Sequence, residues 1–523
     1  GIYNEKTEGV ISMTGGTITS KKDGINNINA GSITITGGTI TSENKIGINN
    51  ASTGKVVIGE KGGEVSTTNP AITGKTYGIS SEKASFDFYD GIIIGATSQS
   101  INGSLNEIEP GYDVIKENRE DDTESATLQK LPIARIVSTG KEYYQISDAV
   151  LEVPENTKET IQILRIKQTL ASDNKVIIGE NQDITIDLNG YEISTDIEEF
   201  IQNNGKLTIT DSSEEVTGKI KSYSTKPVVN NIGAELIIEK GTISATGEIV
   251  INNKGNLTIK EGIVTGGTNG VKIQENGTLK MTGGKITGTN YGIYNETAGN
   301  IEILGGTVKA SIGIYNNVEG KVTIENATIG TCGKYGIHNK AGGIIEVNSG
   351  EVIAHGSYDR GILNEGDGTV IINNGTISSQ GNYSSGSWSY DEYPGITIDN
   401  QGTGLVEING GVIKQIGIGT STINNKNGTI RVTGGTIEKA NNKYGIENEE
   451  SGTVQIEGGT LTSAGIGIYN EKTEGVITMT GGTITSKEDG INNVNAGSIT
   501  ITGGTITSEN KIGINNASTG KVV

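Results

Sequence analysis

The chain has 523 residues with 80 Gly, 3 Phe and 1 Trp, is 33% hydrophobic, and carries a formal charge of −20 from 61 acidic and 41 basic side chains. Aromatic mass is too low for a compact globule of this length, and a negative balance with no basic patch argues against nucleic acid and anionic membrane as partners. The lone Cys332 excludes a disulfide framework or a cysteine metal site, and no apolar run approaches the roughly 18 residues of a membrane span.

Residues 1–95 read as the C-terminal part of one β-helix unit, with coils at Asn4, Asn27 and Asn50. The unit is clearest at 292–309, GIYNETAGNIEILGGTVK. It comprises a GIxN strand, polar residues with Gly, alternating aliphatics such as Ile301 and Ile303, a Gly pair, then TI or TV. A period of two sends one side chain inward and the next outward. Gly305 and Gly306 fall where a corner is needed, since glycine takes positive φ without steric cost. No repeat shows the 3.6-residue period of an amphipathic helix, so the pattern predicts an all-β solenoid with three short strands per coil. In the coil at 78–94, Phe86, Phe88 and Tyr89 replace aliphatics. Large rings there are expected to cap the open edge of a stack, with a sugar platform as the alternative.

Over residues 96–134 the periodicity stops, and this stretch reads as a junction or linker. Its acidic run ENREDDTE at 117–124 offers Asp121 and Asp122 as calcium ligands but lacks calcium-loop spacing. Residues 135–200 read as the N-terminal capping segment of the next unit. Ile146, Ala149 and Val150 lie at i, i+3 and i+4 ahead of Pro154, which predicts a short amphipathic helix lying over the first coil. Asp173, Asp183, Asp187 and Asp196 have no regularly spaced basic partner, so turn and surface roles are expected of them.

Residues 201–523 read as the β-helix of that unit. The Asn of GIxN recurs at Asn203, Asn231, Asn253, Asn295, Asn316, Asn339, Asn364, Asn400, Asn425, Asn448, Asn470, Asn493 and Asn516, mostly in steps of 20 to 25 residues, with Glu275 in the one missing slot. Such a period marks stacked coils. Coils stacked about 4.8 Å apart place these side chains one above another, each amide donating to the next carbonyl. Turn propensity alone would also put Asn at corners, but the repeated spacing favours a structural ladder. The long step from Asn364 to Asn400 holds a loop at 380–395 with Tyr383, Trp388, Tyr390 and Tyr393. Tyr and Trp among Ser and Gly suit a recognition surface, or a loop folded against its own wall or a neighbouring fibre.

No catalytic constellation emerges. The solenoid holds only two arginines, Arg360 and Arg431, and scattered aspartates. A calcium-dependent lyase would need clustered carboxylates beside a basic residue, and a hydrolase paired carboxylates. Glu302, Glu325 and Glu346 read as a solvated stripe offset by Lys309 and its neighbours. His338 and His355 are out of register, and His338 reads as an exposed substitution in the Tyr slot of GIYN. No catalytic residue, metal or cofactor is expected.

Residues 467–523 repeat residues 1–57 at an offset of 466, differing only at Ser12/Thr478, Lys22/Glu488 and Ile28/Val494. Neighbouring coils diverge freely at exposed positions, so this identity marks a recent duplication of a large block. The chain reads as an excerpt of a tandem polymer of 466-residue units, each with about 16 coils and on the order of 75 to 80 Å of solenoid.

Junction motifs carry a family resemblance. YYQISDA at 143–149, TIQIL at 160–164, ITIDLNGYEIS at 184–194 and GKLTITDS at 205–212 precede the coils. FDFYDGIIIG at 86–95 and SINGSLNEIEPGYDVI at 100–115 follow them. In this order the chain resembles repeat-rich Gram-positive surface proteins with a pectate-lyase-like β-helix. The resemblance covers nearly the whole chain and implies a right-handed, three-faced parallel β-helix at the cell surface; it supplies no activity. The expected function is structural, a non-enzymatic building block of an extracellular fibre or stalk. Its expected partner is itself, through tandem units and lateral contacts. The alternative is an adhesin holding glycans or host matrix through the aromatic loop.

Overall fold

The structure is a computed structural model that describes the chain apart from residues 110, 166–168, 171–174, 357–358, 382–394, 418, 473 and 518 and the side chains of residues 169, 170, 331 and 332. The chain divides into two compact units, Gly1–Ile133 with Glu142–Tyr144, and Ala134–Lys141 with Gln145–Val523. Both are right-handed, three-faced parallel β-solenoid, with about 21 turns in all and one short helix.

One coil of the second unit shows how sequence sets geometry. Ile301, Ile303 and Val308 are fully buried, with exposed Glu302 between the first two. Each stacks on its counterpart in the next coil, Ile301 on Val322, Ile303 on Ile324 and Val308 on Ile329. Every such side chain contributes about 1.5–3 kcal/mol of apolar burial, so a core a few aliphatics wide needs no aromatic filler. The two kinds of recurrent glycine in the coil act differently. Gly306 takes φ 82°, turning a corner that a side chain would strain. Gly313 has no room, because a Cβ there would lie 2.6 Å from the Gly336 carbonyl oxygen. Among the described residues of the second unit, the middle, aliphatic strand of each coil joins one sheet, and the GIxN and TI strands join a second sheet that bends round the corner. In Gly306–Asn316 and Ala327–Asn339 the two strands run on as one.

In the first unit, Ile25–Asn27 pairs in parallel with Ile48–Asn50, and Ile11 and Met13 stack on Ile33 and Ile35. Phe86, Phe88 and Tyr89 are buried, but theirs is not the closing coil. Strand Ile101–Ile108 lies on it in parallel, setting Leu105 against Phe86 and Ile108 against Phe88. The expected linker at 96–134 is corrected likewise. Tyr112–Asn118 and Thr123–Lys130 form an antiparallel hairpin that pairs with Ile92–Ala96. The acidic run supplies its turn and strand ends, and Glu124 is buried, accepting a bond from the Ser100 backbone. Sequence periodicity failed to reveal this because an antiparallel hairpin shares neither the spacing nor the corners of a coil.

At the start of the second unit, Ala134–Ile136 runs antiparallel to Lys158–Ile163 and closes that sheet edge. Helix Ile146–Glu152 buries Ile146, Ala149 and Val150. Gln182 Nε2 donates to the carbonyls of Val150 and Val153, tying the helix end to the solenoid at 3.0 and 2.9 Å. Coiling begins earlier than Ile201, since Ile161 already stacks on Ile186 and Val176 on Ile201.

Candidate functional site

The last two residues of each GIxN strand build two columns, one inside the solenoid and one outside. Inside, the Asn side chains hydrogen-bond coil to coil. From Asn295 through Asn516 each Nδ2 donates to the Oδ1 of the next Asn at 2.7 to 2.9 Å. Most also donate to a glycine carbonyl in their own corner, as Asn339 does to Gly343 at 2.8 Å. Asn203, Asn231 and Asn253 form a shorter ladder. The gap between the two is not at Glu275. Register places Ile273 between Asn253 and Asn295, and Ile273 is fully buried. Isoleucine offers no donor, which leaves buried Asn295 Oδ1 without a partner. In the first unit the ladder runs Asn4, Asn27, Asn50 and ends on Ser81 Oγ at 3.0 Å.

Outside, the x residues vary. Tyr294, Tyr315, His338, Leu363, Asp399, Asn424, Glu447 and Tyr469 follow one another in register. Tyr294 and Tyr315 stack with ring centroids 5.1 Å apart and planes at 7°. His338 is buried, correcting the exposed substitution expected of it. It meets Tyr315 and Tyr335 edge-on, and its Nε2 lies 2.7 Å from Glu365 Oε2. Burial pulls the His338 pKa below its ordinary value despite Glu365. Arg360 Nε donates to Asp399 Oδ2 at 2.7 Å, with the carboxylate side chain only 1% exposed. Gln401 Nε2 and Asn424 Nδ2 donate to the same carboxylate at 3.0 and 3.1 Å. Beyond Asn424, burial first and Glu449 second push the Glu447 carboxyl up to about 7. Tyr444 and Tyr469 stack beside it at 4.2 Å. Rings stacked along the axis turn their faces to each other, so this column is built first for cohesion between coils.

Two further buried groups were not evident from sequence. Asp359 is fully buried, its carboxylate accepting from the backbone of Gln380 and Gly381 and its carbonyl from Ile396. Both ends of the long insertion therefore meet the wall at one residue. Lys439 is 3% exposed, donates to Gln415 Oε1 and the Gly419 carbonyl at 2.9 and 2.7 Å, and is pulled down to about 7 by burial. Tyr383, Trp388, Tyr390 and Tyr393 lie outside the described residues, as does Asp173.

The expected glutamate stripe divides. Glu302 and Glu346 share one outward column with Thr323 between them, while Glu325 sits on a corner. Lys280 and Lys321, at 3.8 and 2.6 Å, offset that column; Lys309 is on the next face. Asp183 does have a basic partner, Lys206, at 3.7 Å. Buried Asp187 organises a turn, accepting from Asn189 and Ser212. An open depression of about 580 Å³ has Lys206 in its lining, paired there with Asp183 and Glu235.

Among the described residues no group of three or more His, Cys, Asp or Glu converges as metal ligands, and no helix is long and apolar enough to cross a membrane. No protein-family model, curated protein or solved structure matches the chain.

Proposed function

We propose that this chain is a structural, non-enzymatic building block of an extracellular surface fibre or stalk made of tandem β-helix repeats. The observation that carries the reading is the duplicated block. At an offset of 466 residues its two copies make the same pairs: Ile11 on Ile33 and Ile477 on Ile499, Ile25 on Ile48 and Ile491 on Ile514. One sequence thus serves in both units as a stacking module. In the first unit it leads on to the antiparallel hairpin, and in the second it follows the helix-capped coils. A unit running from the helix through the duplicated stretch to the hairpin has both sheet edges covered, which blocks edge-to-edge aggregation. The surface location rests on the junction-motif resemblance to Gram-positive surface proteins. Electron microscopy of the full-length material tests the proposal: rods with an axial repeat near one unit are expected, and isolated short particles would refute it.

An adhesin reading is favoured by one feature, the bonding of Gln380, Gly381 and Ile396, on either side of the aromatic stretch of the 380–395 loop, to the single residue Asp359. The coils on either side are thus held in register independently of the Tyr- and Trp-rich stretch between them. A glycan screen comparing the chain with Trp388→Ala separates the readings, since a purely structural block binds no glycan in either form.

A further inference from the structure

The outward column between Arg360 and Glu447 contains an unfinished hydrogen-bond chain. Asn424 Nδ2 donates to Asp399 Oδ1, which fixes the amide's orientation. Its Oδ1 is thereby turned away from Asp399, and this atom is buried with no hydrogen-bond partner. An orphaned buried acceptor costs about 1–3 kcal/mol. Directly opposite Asn424 in the next coil stands Glu447. An ionised carboxylate presents only acceptors and would repel that oxygen, whereas a protonated carboxyl presents an O–H donor.

We infer that Glu447 holds a proton in the folded coil below neutral pH and donates it to Asn424 Oδ1, completing an Arg360–Asp399–Asn424–Glu447 chain across four consecutive coils that opens once the carboxyl ionises. The surroundings favour the neutral form. Asp399 is already neutralised by Arg360. The other groups facing Glu447 include Glu449, Glu471 and Asp399, each of which raises the carboxyl, alongside burial; the Ser421 hydroxyl acts the other way. The strand before it, Ser421–Asn425, carries no charge. Tyr444 and Tyr469 flank Glu447, and their hydroxyls are held above the ordinary phenol value by burial, so they stay neutral. Lys472 is engaged with Glu471 at 3.3 Å. Lys439 lies within Coulomb range, but its ammonium is held by Gln415 and Gly419. The direction of the pH effect follows from linkage. A carboxyl that binds its proton more tightly in the fold than in the unfolded chain loses stability as pH rises from the unfolded value, about 4.3, to about 7, and no further above that.

The test is a pH series from 5 to 9 on the full chain and on Glu447→Gln, whose amide supplies the donor at every pH. Hydrogen exchange of the peptide spanning 444–448 is expected to quicken between pH 5 and 7 in the wild type, beyond the intrinsic rise, and to follow the intrinsic rise above that. In Glu447→Gln it should follow the intrinsic rise alone. Infrared difference spectra should show a protonated-carboxyl band at pH 6 that the variant lacks. Equal pH dependence in the two proteins, or absence of the band, would overturn the inference. So would stabilisation by calcium chloride at pH 8 that Glu447→Gln abolishes, because the oxygen cluster would then be a cation site. If Glu447→Gln fails to fold, Asn424→Ala provides the check: removing the acceptor should move the band's loss to lower pH, and an unmoved midpoint would count against the chain.

Discussion

The last two residues of every GIxN strand are chain neighbours that face opposite ways, and they have been treated in opposite fashion. The inner one is Asn in nearly every coil, fully buried and bonded to the same partners each time. The outer one is Tyr, His, Leu, Asp, Asn or Glu in turn. Inside, a departure leaves an orphaned oxygen that water cannot reach, as at Ile273. Outside, a departure is absorbed by a neighbour in the same column, as Arg360 absorbs Asp399. Repetition therefore secures the stack, and variation in the outer column adjusts how tightly particular coils are held.

Within the two columns, the largest expected effect comes from breaking the buried Arg360–Asp399 ion pair. Arg360→Ala strands the Asp399 carboxylate, at a cost of about 3 kcal/mol, seen as a fall in the urea midpoint by circular dichroism. Because the cost is that of an unpaired charge, adding Asp399→Asn should recover most of it; no recovery would mean that Arg360 acts through packing. Next comes the inner column. Asn339→Leu removes the donor to Asn364 Oδ1 and to the Gly343 carbonyl, and a loss of about 2–3 kcal/mol is expected. Hydrogen exchange should localise that loss to the coils of Asn316, Asn339 and Asn364, since each coil touches only its neighbours. A smaller effect sharpens the same contrast. Ile273→Asn gives up apolar burial but supplies Asn295 Oδ1 with a donor, so it should change stability by less than about 1 kcal/mol. The same substitution at Ile293, in the next coil and equally buried but outside the ladder, should cost about 4 kcal/mol or more. Similar costs at both positions would show that the ladder contributes nothing specific.

Much of this was legible in the sequence, for reasons that also explain the misses. Period-two aliphatics, Gly pairs and a recurrent Asn specify a coil through local geometry, so the solenoid and its corners could be read directly. The helix at Ile146–Glu152 was legible because Ile146, Ala149 and Val150 keep a helical spacing ahead of Pro154. The hairpin at 112–130 was not, because its pairing depends on a partner strand, Ile92–Ala96, rather than on any pattern within it. Ile273 was missed because a search for a polar residue in the slot leads to Glu275, although Gly270-Val271-Lys272-Ile273 already reads as GIxN with Ile in the place of Asn, as the strand register has it. The Arg360, Asp399, Asn424 and Glu447 column had a usable signal, the x of successive GIxN strands read as one stack. Asp399 looked isolated only while its neighbours were sought along the chain.

The smallest predicted effect lies at His338, where the outer column departs from the tyrosines on which it stacks. Burial lowers the His338 pKa below that of a free histidine, so the unfolded chain takes up its proton first as pH falls. Stability contributed by the neutral ring is then present above about pH 6.5 and is lost progressively below it, the reverse of the trend expected from Glu447. His338→Tyr would restore an aromatic that does not titrate in this range and would leave the contacts to Tyr315 and Tyr335 available. The difference in melting temperature between variant and wild type should therefore be small at pH 7.5 and grow in the variant's favour toward pH 5. A difference that stays constant with pH would mean that Glu365, 2.7 Å away, accommodates the protonated ring without cost. The His338–Glu365 pair would then belong with the compensated charges of the outer column, alongside Arg360 and Asp399, rather than with its pH-sensitive members.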